Sequence, residues 1–150
     1  YTDSQESRKR STVIVFDEKD KSKIYVGKMR DHYELPGGGI EKNEKARESA
    51  TRECLEEIGV KVKNIEFVRE FDDKILDGDF RLVSYYFKGD FDGIDSELHG
   101  AGPEGELKRC VMSIDEYVGG KEKELENEKF KDAYIKCICN NDIEVLGSLK

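Results

Sequence analysis

Three glutamates in the middle of the chain, Glu53, Glu56 and Glu57, are spaced so that they share one side of a helix. At about 100° per residue, positions i, i+3 and i+4 fall within an arc of about 100°. Three carboxylates so close together repel one another, and the end of a helix is a poor place for them because its dipole favours cations. A divalent cation that prefers hard oxygen ligands, such as Mg²⁺ or Mn²⁺, would remove this conflict. The alternative is a solvated acidic face with Arg52 and Lys61 as counter-charges.

A glycine-rich turn, Leu35-Pro36-Gly37-Gly38-Gly39, precedes this helix. Glycine lets the backbone approach a ligand or a metal closely. Such a turn is common and indicates little by itself, but together with the glutamates it completes a fixed pattern. The pattern runs Gly38, five residues, Glu44, seven residues, Arg52-Glu53-Cys54, one residue, Glu56-Glu57, one residue, Gly59-Val60.

This pattern is that of the Nudix box, and the chain resembles the small MutT-like members of the Nudix hydrolase family. Every glycine, glutamate and arginine of the pattern is in place over residues 38–60. Val60 fills one bulky apolar position, whereas Cys54 replaces the usual Ile, Leu or Val at the other, a departure that affects packing and not chemistry. The resemblance implies an α/β fold, an α/β/α sandwich with a mixed β-sheet, in a single domain over residues 1–150. We expect residues 1–10 to be a flexible polar lead-in.

The resemblance also implies a reaction, the hydrolysis of a nucleoside diphosphate linked to another group by attack of water at phosphorus. Mg²⁺ or Mn²⁺ would neutralise the charge that builds on the phosphate oxygens. In the family, the positions matching Glu56 and Glu57 hold the metals, and the position matching Glu53 is a ligand or the base that activates water. A carbonyl of Gly37 or Gly38 would complete the metal shell.

Three further box residues are expected to support the site. Arg52 and Glu44 resemble orienting residues that pair with the acids and the loop, and ordinary helix-stabilising charge is the alternative. Gly59 follows the helix where a left-handed C-terminal cap is expected.

Residues outside the box are less constrained by the pattern. Many small family members recruit one more acid from a loop, and Glu104 is the candidate that we group with Glu53 and Arg52 as catalytic. A solvated loop acid is the alternative. Glu97 and Glu106 in the same loop are alternative candidates for this acid, and His99 could assist the reaction, with an exposed loop histidine as the alternative.

Two cations and several aromatic residues are candidates for substrate contacts. Lys28 and Arg30, at the end of the second predicted strand, could meet substrate phosphates, with plain surface charge as the alternative. Tyr33 and aromatic residues of a later strand could supply a surface on which a base stacks, although alternate members of that strand must be core. These later residues are Phe80, Tyr85 and Phe87.

The absence of two sequence markers known from the family narrows the choice of substrate. Family members that favour ADP-ribose often carry a proline about fifteen residues past the box, and those that favour diadenosine polyphosphates a tyrosine about seventeen past it. The stretch Lys74-Ile75-Leu76-Asp77-Gly78 has neither, so a nucleoside triphosphate or similar small nucleotide is the default. Diphosphoinositol polyphosphates are an alternative because members acting on them share the Gly-Gly-Gly start, and dinucleoside polyphosphates or ADP-sugars are others. Alternatives of other classes are a non-catalytic nucleotide-binding module and an acidic protein-interaction domain.

The composition and the net charge argue against several classes of partner. The chain has 150 residues with 26 Lys and Arg against 34 Asp and Glu, a net charge of −8. This charge argues against a nucleic-acid polymer as partner, because phosphate binding relies on basic residues. Every apolar run is far shorter than the roughly 20 residues of a membrane-spanning helix, so no membrane partner is expected.

Four cysteines without a Cys-x-x-Cys pair are interpreted as reduced thiols of a cytoplasmic protein. The chain begins at Tyr1 instead of Met, which is consistent with a missing natural N-terminus, and the oligomeric state is left open.

The elements that must position these residues follow from periodicity and turn signals. Short apolar runs predict strands, and the four-residue repeat of Ala46, Ala50, Cys54 and Ile58 predicts a helix. A hairpin turn is indicated by Asp77-Gly78, and the glycine- and acid-rich residues 89–105 predict a long loop. The predicted elements are strands 12–16, 23–27, 61–71, 80–87 and 107–112, a helix over 44–58, a short helix from Ser113 and a final helix over 128–138 with Asn127 as its N-cap.

Overall fold

The computed structural model describes residues 6–75, 78–95, 107–127 and 132–149. Seven strands and three helices occur in these residues. In chain order they are β1 (Glu6–Phe16), β2 (Lys23–Met29), β3 (His32–Glu34), β4 (Gly37–Gly39), α1 (Ala46–Ile58), β5 (Val60–Ile75), β6 (Phe80–Ile94), β7 (Lys108–Ser113), α2 (Ile114–Glu126) and α3 (Ala133–Ser148).

The strands of the described residues form one mixed sheet with the order β3-β2-β1-β6-β5, to which β4 adds beside β1 and β7 beside β2. β1 and β6 are parallel over the whole of β1, from Glu6 opposite Phe80 to Phe16 opposite Asp90. The other pairs are antiparallel. Parallel strands require a long connection, and here the glycine turn and α1 lie within the connection between β1 and β6.

The two ends of β1 have different neighbours, and this difference splits the sheet. Near its C-terminal end β1 pairs with β2, with Phe16 opposite Ile24. Toward its N-terminal end it pairs instead with the glycine strand β4, with Thr12 opposite Gly37. The glycine turn is therefore inserted between diverging strands in the middle of the domain.

The core forms two layers, one on each face of the sheet, because successive strand residues point to opposite faces. On one face, α1 packs over the strands through a buried cluster that comprises Val13, Val15, Tyr25, Ala50, Cys54, Ile58, Val60 and Phe87. On the other face, α2 and α3 pack through a cluster that contains Ile14, Ile24, Val26, Leu35, Tyr117, Val145 and Leu146. Helices on both faces of a mixed sheet confirm the predicted α/β/α sandwich.

Several strand boundaries differ from the prediction. Residues 6–10 were expected in a lead-in but belong to β1, because backbone pairing with β6 holds them in the sheet despite their polarity. Residues 1–5 lie outside the described residues. β6 continues to Ile94, into the predicted loop, because it pairs with β5 there. Two three-residue strands, β3 and β4, occupy a segment predicted as a loop. Hydrophobic patterning does not detect strands whose position is set by backbone hydrogen bonds to their neighbours.

The helix predicted to start at Ser113 is longer than expected. It extends to Glu126, and Ser113 caps it by accepting a hydrogen bond from the backbone N–H of Glu116 at 3.0 Å. Tyr117 and Lys121 are buried on one side of this helix, so packing against the sheet stabilises turns that local sequence alone does not specify.

The final helix is shifted along the chain. The described part runs over Ala133–Ser148 with Asp132 as its N-cap, and residues 128–131 lie outside the described residues. Asn127, the predicted N-cap, ends α2 instead. The helix continues past residue 138 because Val145 and Leu146 are core residues.

Within the described part of the chain, no helix combines the length and the apolar composition that a membrane crossing requires. The four cysteines are free thiols. Cys54 is fully buried, which agrees with its predicted place in the core, and burial raises the pKa of its thiol well above the ordinary value.

Candidate active site

The acidic face of α1 points toward the glycine strand because the neighbouring face of the helix is buried. Ala50, Cys54 and Ile58 are fully buried against the sheet. Gly59 ends the helix in the left-handed conformation, with φ of 67°, and its N–H donates to the Leu55 carbonyl oxygen at 3.0 Å. This geometry is the predicted C-terminal cap, and it fixes where the helix stops.

Arg52 holds most of the acidic face together. Its Nε and Nη2 donate to the two carboxylate oxygens of Glu44 at 2.8 and 3.0 Å. Its Nη1 donates to Glu53 at 2.9 Å and to Glu56 at 3.2 Å. Nη2 also donates to the Gly39 carbonyl oxygen at 3.3 Å. One guanidinium thus joins the glycine strand, the connecting loop and the helix, and these are the contacts expected of an orienting residue.

Glu44 is the fixed partner of Arg52. Bidentate arginine–carboxylate pairs are among the stronger hydrogen-bonded pairs in proteins. The hydrogen bonds from Arg52 hold the pKa of Glu44 well below its usual range, at about 2. Glu44 also accepts a hydrogen bond from the backbone N–H of Glu41 at 3.0 Å. Its charge is therefore committed to Arg52 and the loop, and Glu44 is not a candidate ligand for a cation.

Glu57 lies against the first glycine of β4. The Gly37 N–H donates to Glu57 Oε1 at 2.7 Å, and Glu57 is only 5% exposed. A side chain at position 37 would collide with the backbone of Ser11 and with Thr12, so β4 approaches β1 more closely than other residues allow.

Glu53 lies against the second glycine. A Cβ atom built on Gly38 would be 2.6 Å from Glu53 Cδ, with both carboxylate oxygens within 2.8 Å. The absence of a side chain at position 38 therefore makes the space that the Glu53 carboxylate occupies. At Gly39, by contrast, a Cβ atom would meet open space.

The oxygen donors of this cluster fit a hard divalent cation. The carboxylates of Glu53, Glu56 and Glu57 lie close together beside the glycine strand, with Arg52 donating to Glu53 and Glu56 and the Gly37 N–H donating to Glu57. Among residues 6–75, 78–95, 107–127 and 132–149, no three His, Cys, Asp or Glu side chains already converge as metal ligands. The hydrogen bonds explain this, since Glu53 and Glu56 are turned toward Arg52. Glu56 is 40% exposed, which leaves its carboxylate room to turn, and the all-oxygen donor set suits Mg²⁺ or Mn²⁺.

A cavity of about 350 Å³ opens beside Gly37, between the sheet and the helices α2 and α3. Its walls combine charged, aromatic and apolar side chains. They include Arg10, Thr12, His32, Glu34, Leu35, Tyr117, Lys121, Glu124, Tyr134, Ile135, Ile138, Cys139 and Asp142. A cavity that borders the glycine strand can hold the part of a ligand that lies away from the acids.

Arg10 is a cavity residue, although residues 1–10 were expected to be a flexible lead-in. It lies opposite Gly39 across the β1–β4 pair and lines the cavity. Its guanidinium interacts electrostatically with Asp142 and Glu57. Burial acts to lower the pKa of Arg10, but neighbouring groups, Glu57 and Asp142 among them, raise it on balance. The two-residue alternation of β1 places Arg10 on the same face as Ile14, and this alternation was the available signal.

Lys28 and Arg30 lie in a different pocket. This pocket has a volume of about 290 Å³, is also lined by Met29 and Lys108, and lies at the turn between β2 and β3. Lys28 Nζ is 6.0 Å from the ring centroid of Tyr33, whose ring packs against the core under α2 and α3. These predicted substrate residues are therefore near one another but do not line the cavity beside Gly37.

The predicted stacking residues of β6 are also away from the cavity. Phe80 packs with Ile75 and Leu82 in a small cluster near α3, whereas Tyr85 and Phe87 face α1 on the other side of the sheet. The loop acids Glu97, Glu104 and Glu106 and the loop histidine His99 lie outside the described residues. Their roles stay predictions.

Comparison with protein families agrees with the box pattern. The model described as NUDIX domain matches residues 7–134, which is most of the chain. Two solved structures show the fold. A NUDIX hydrolase from Nitrosomonas europaea superposes with a TM-score of 0.66 at 14% identity, covering 93% of this chain and 89% of the other. The MutT protein from Bacillus halodurans superposes with a TM-score of 0.59 at 26% identity, covering 75% and 72%.

Curated relatives match the central part of the chain. An RNA pyrophosphohydrolase of Roseobacter denitrificans is 35% identical over 88 residues, or 52% of this chain and 55% of the relative. An 8-oxo-dGTP diphosphatase of Buchnera aphidicola is 34% identical over 74 residues, or 45% and 48%. The chain thus spans about half the length of the curated relatives that it matches.

Substitution of the three glycines by alanine is expected to separate folding from metal binding. Gly38→Ala meets the end of a flexible side chain, so the variant should fold but displace Glu53 and weaken Mn²⁺ binding by about tenfold or more. Gly39→Ala, which meets open space, is the matched control and should bind Mn²⁺ like the wild type. Gly37→Ala meets backbone and should lower the free energy of unfolding by about 1–3 kcal/mol. Calorimetric Mn²⁺ titration and thermal denaturation measure both effects, and unchanged Mn²⁺ affinity in Gly38→Ala would contradict the placement of Glu53.

The low pKa of Glu44 predicts a pH-dependent contribution to stability. On folding, the pKa of Glu44 is lowered from 4.5 to about 2. The ionised carboxylate therefore stabilises the protein fully above pH 4.5, and this stabilisation is lost as the pH falls toward 2. We expect Glu44→Gln to lower the melting temperature at neutral pH, with the difference from wild type shrinking between about pH 4.5 and pH 2. Circular dichroism melts across this range measure it, with the exposed Glu70→Gln as control. If the difference in melting temperature between Glu44→Gln and wild type does not change with pH, the ionised Glu44–Arg52 pair does not stabilise the protein.

Proposed function

This chain belongs to the Nudix family, and from that premise we propose that it is a metal-dependent pyrophosphohydrolase that cleaves a small nucleotide. The observation that carries the proposal is the meeting of box carboxylates and a glycine strand at the edge of a cavity. Glu57 and Glu53 lie against Gly37 and Gly38, and the cavity opens beside Gly37. Phosphates bound at this point would lie next to the acids while the nucleoside enters the cavity.

Nudix enzymes generally use divalent metal ions, and Mg²⁺ or Mn²⁺ is the cation proposed here. When bound, it supplies the positive charge that offsets the phosphate oxygens during attack by water. Glu56 and Glu57 would hold it together with Glu53 and a carbonyl oxygen of the glycine strand. Glu104, from outside the described residues, is the proposed additional acid.

If Glu56 and Glu57 hold most of the ion's coordination, Glu53 is the residue that accepts the proton of water. In that case the Glu53 carboxylate takes the proton of the attacking water while the bond from phosphorus to the bridging oxygen breaks. Arg52 orients this carboxylate through its 2.9 Å hydrogen bond, and Glu44 holds Arg52 in turn. The reactive groups are thereby held in place before substrate binds.

The cavity suits a single nucleoside. Its volume of about 350 Å³ is near the lower end of the roughly 300–1,000 Å³ typical of small-molecule sites. Tyr134, Ile135 and Ile138 offer an aromatic and apolar wall for a base. Arg10 lines the cavity beside the glycine strand and would contact the phosphate that joins the nucleoside to the cleaved bond.

The charge of the cavity favours a nucleotide over a diphosphoinositol polyphosphate. Such a heavily phosphorylated ring would need several cations around it. Apart from Arg10, the lining cation Lys121 is paired with Glu124 at 3.3 Å, and Glu34 and Asp142 add negative charge. The printed names of the two relatives, which refer to RNA and to 8-oxo-dGTP, also point to nucleotides. Between these two, the net charge of −8 favours a free nucleotide over an RNA chain.

Substitution of Glu57 tests the reaction. We expect Glu57→Gln to lower kcat by about 100-fold or more, because it removes a charged oxygen ligand while keeping the hydrogen bond from Gly37. A panel of nucleoside triphosphates, dinucleoside polyphosphates and diphosphoinositol polyphosphates, assayed with Mg²⁺ and with Mn²⁺ and with products identified by mass, measures turnover and substrate together.

The exposed Glu70→Gln on β5 is the matched control and should retain full turnover. Near wild-type turnover in Glu57→Gln would refute the site. Tight nucleotide binding by the wild type without any product would instead support a non-catalytic binding module.

Substitution of Arg10 tests the placement of the substrate. Loss of one charge-assisted hydrogen bond to phosphate, worth about 1.5–3 kcal/mol, predicts that Arg10→Gln raises KM by about tenfold or more. Lys9→Gln is the control because Lys9 is the exposed neighbour on the same strand. Steady-state kinetics on the best substrate of the panel measures KM. Equal KM values for Arg10→Gln and Lys9→Gln would place the nucleotide elsewhere.

A further inference from the structure

Three successive residues, from the end of β3 into β4, each form a hydrogen bond to another element. The Leu35 N–H donates to the Tyr117 hydroxyl oxygen at 3.1 Å, the Pro36 carbonyl oxygen accepts from the Val13 N–H at 3.1 Å, and the Gly37 N–H donates to Glu57 at 2.7 Å. The second and third ties come from β1 and α1. The first comes from α2, on the opposite face of the sheet, and the proposed reaction does not account for it.

The Tyr117 hydroxyl is itself held by α3. It donates to Asp142 Oδ2 at 3.1 Å, and the Tyr86 hydroxyl donates to the other oxygen of the same carboxylate. Tyr117, Tyr86 and Asp142 are each at most 4% exposed. A hydroxyl has one hydrogen, so donation to Asp142 leaves only its lone pairs for the Leu35 N–H. Asp142 therefore fixes Tyr117 as an acceptor at this position.

A purely apolar packing would be the simpler way to join α2, α3 and the sheet. Burying a carboxylate and two phenols is costly unless all of them are hydrogen-bonded, and a satisfied network of this kind specifies one arrangement of the chain. The arrangement specified here is the path of Leu35 into Gly37 and Gly38, the glycines that lie against Glu57 and Glu53.

We propose that Asp142 and Tyr117 are positioning residues for the metal site: through the Leu35 N–H they hold the glycine strand against the box glutamates. The inference rests on the proposed function, because it assumes that these glutamates bind a divalent cation. It assigns to α2 and α3 a role in metal affinity in addition to their role as cavity walls. Removal of the tie leaves the Leu35 N–H without its acceptor and lets the glycine strand shift relative to Glu53 and Glu57.

A pair of matched variants tests the proposal. Tyr117→Phe and Tyr86→Phe each remove a buried hydroxyl that donates to Asp142, but only Tyr117→Phe also removes the acceptor of the Leu35 N–H. We expect Tyr117→Phe to weaken Mn²⁺ binding by about tenfold, as loss of an outer-shell partner does, and Tyr86→Phe to leave it within about twofold of wild type. Mn²⁺ electron paramagnetic resonance titration measures affinity without turnover, and thermal melts report the loss of stability expected in both variants.

Equal Mn²⁺ affinity in Tyr117→Phe and wild type would overturn the proposal, as would an equal loss in both variants. A wild-type protein that binds no Mn²⁺ would instead refute the proposed function. If Tyr117→Phe does not fold, amide hydrogen exchange in the wild type decides. The Leu35 amide should then exchange as slowly as that of Val13 in the core, and exchange as fast as that of the exposed Lys42 would overturn the proposal.

Discussion

The site is organised by one electrostatic constraint, the placement of three glutamates around a single guanidinium with a fourth glutamate beside them. Arg52 donates to Glu44, Glu53 and Glu56, and the Gly37 N–H takes part of the charge of Glu57. Three of these carboxylates, those of Glu53, Glu56 and Glu57, belong to α1, and like charges this close on one helix repel one another. The divalent cation proposed above would offset this repulsion. The repulsion among these acids is therefore one of the reasons for proposing a cation at this site.

Every layer of the fold contacts the glycine turn. The split of the sheet lets β4 pair with β1, α1 presents its carboxylates from one face, and the Tyr117–Asp142 pair reaches the turn from the other. The same split leaves the cavity between the sheet and the two later helices. The proposed metal site and the cavity are therefore adjacent, because Gly37 borders both.

Local patterns made α1 and its acids predictable, because helix spacing alone places Glu53, Glu56 and Glu57 on one face and Gly59 at its end. The apolar runs of β2 and the first half of β6 were predictable for the same reason. Arg10 was not, since its place in the cavity depends on pairing with the distant strand β6, where it lies opposite Ser84, and on helices packed over it. The strands β3 and β4 are three residues each and owe their form to neighbours. Nor does sequence spacing reveal that Tyr117 would accept a hydrogen bond from Leu35.

The central claim, that the box glutamates and the glycine strand bind a divalent cation, is tested most directly by paramagnetic broadening. Mn²⁺ added in small steps to ¹⁵N-labelled protein broadens the amide signals closest to the bound ion first. The structure predicts that the signals of residues 37–39 and 53–57 broaden before all others. Broadening that begins instead near another acidic surface, such as Asp72 and Asp73 on β5, would contradict the account.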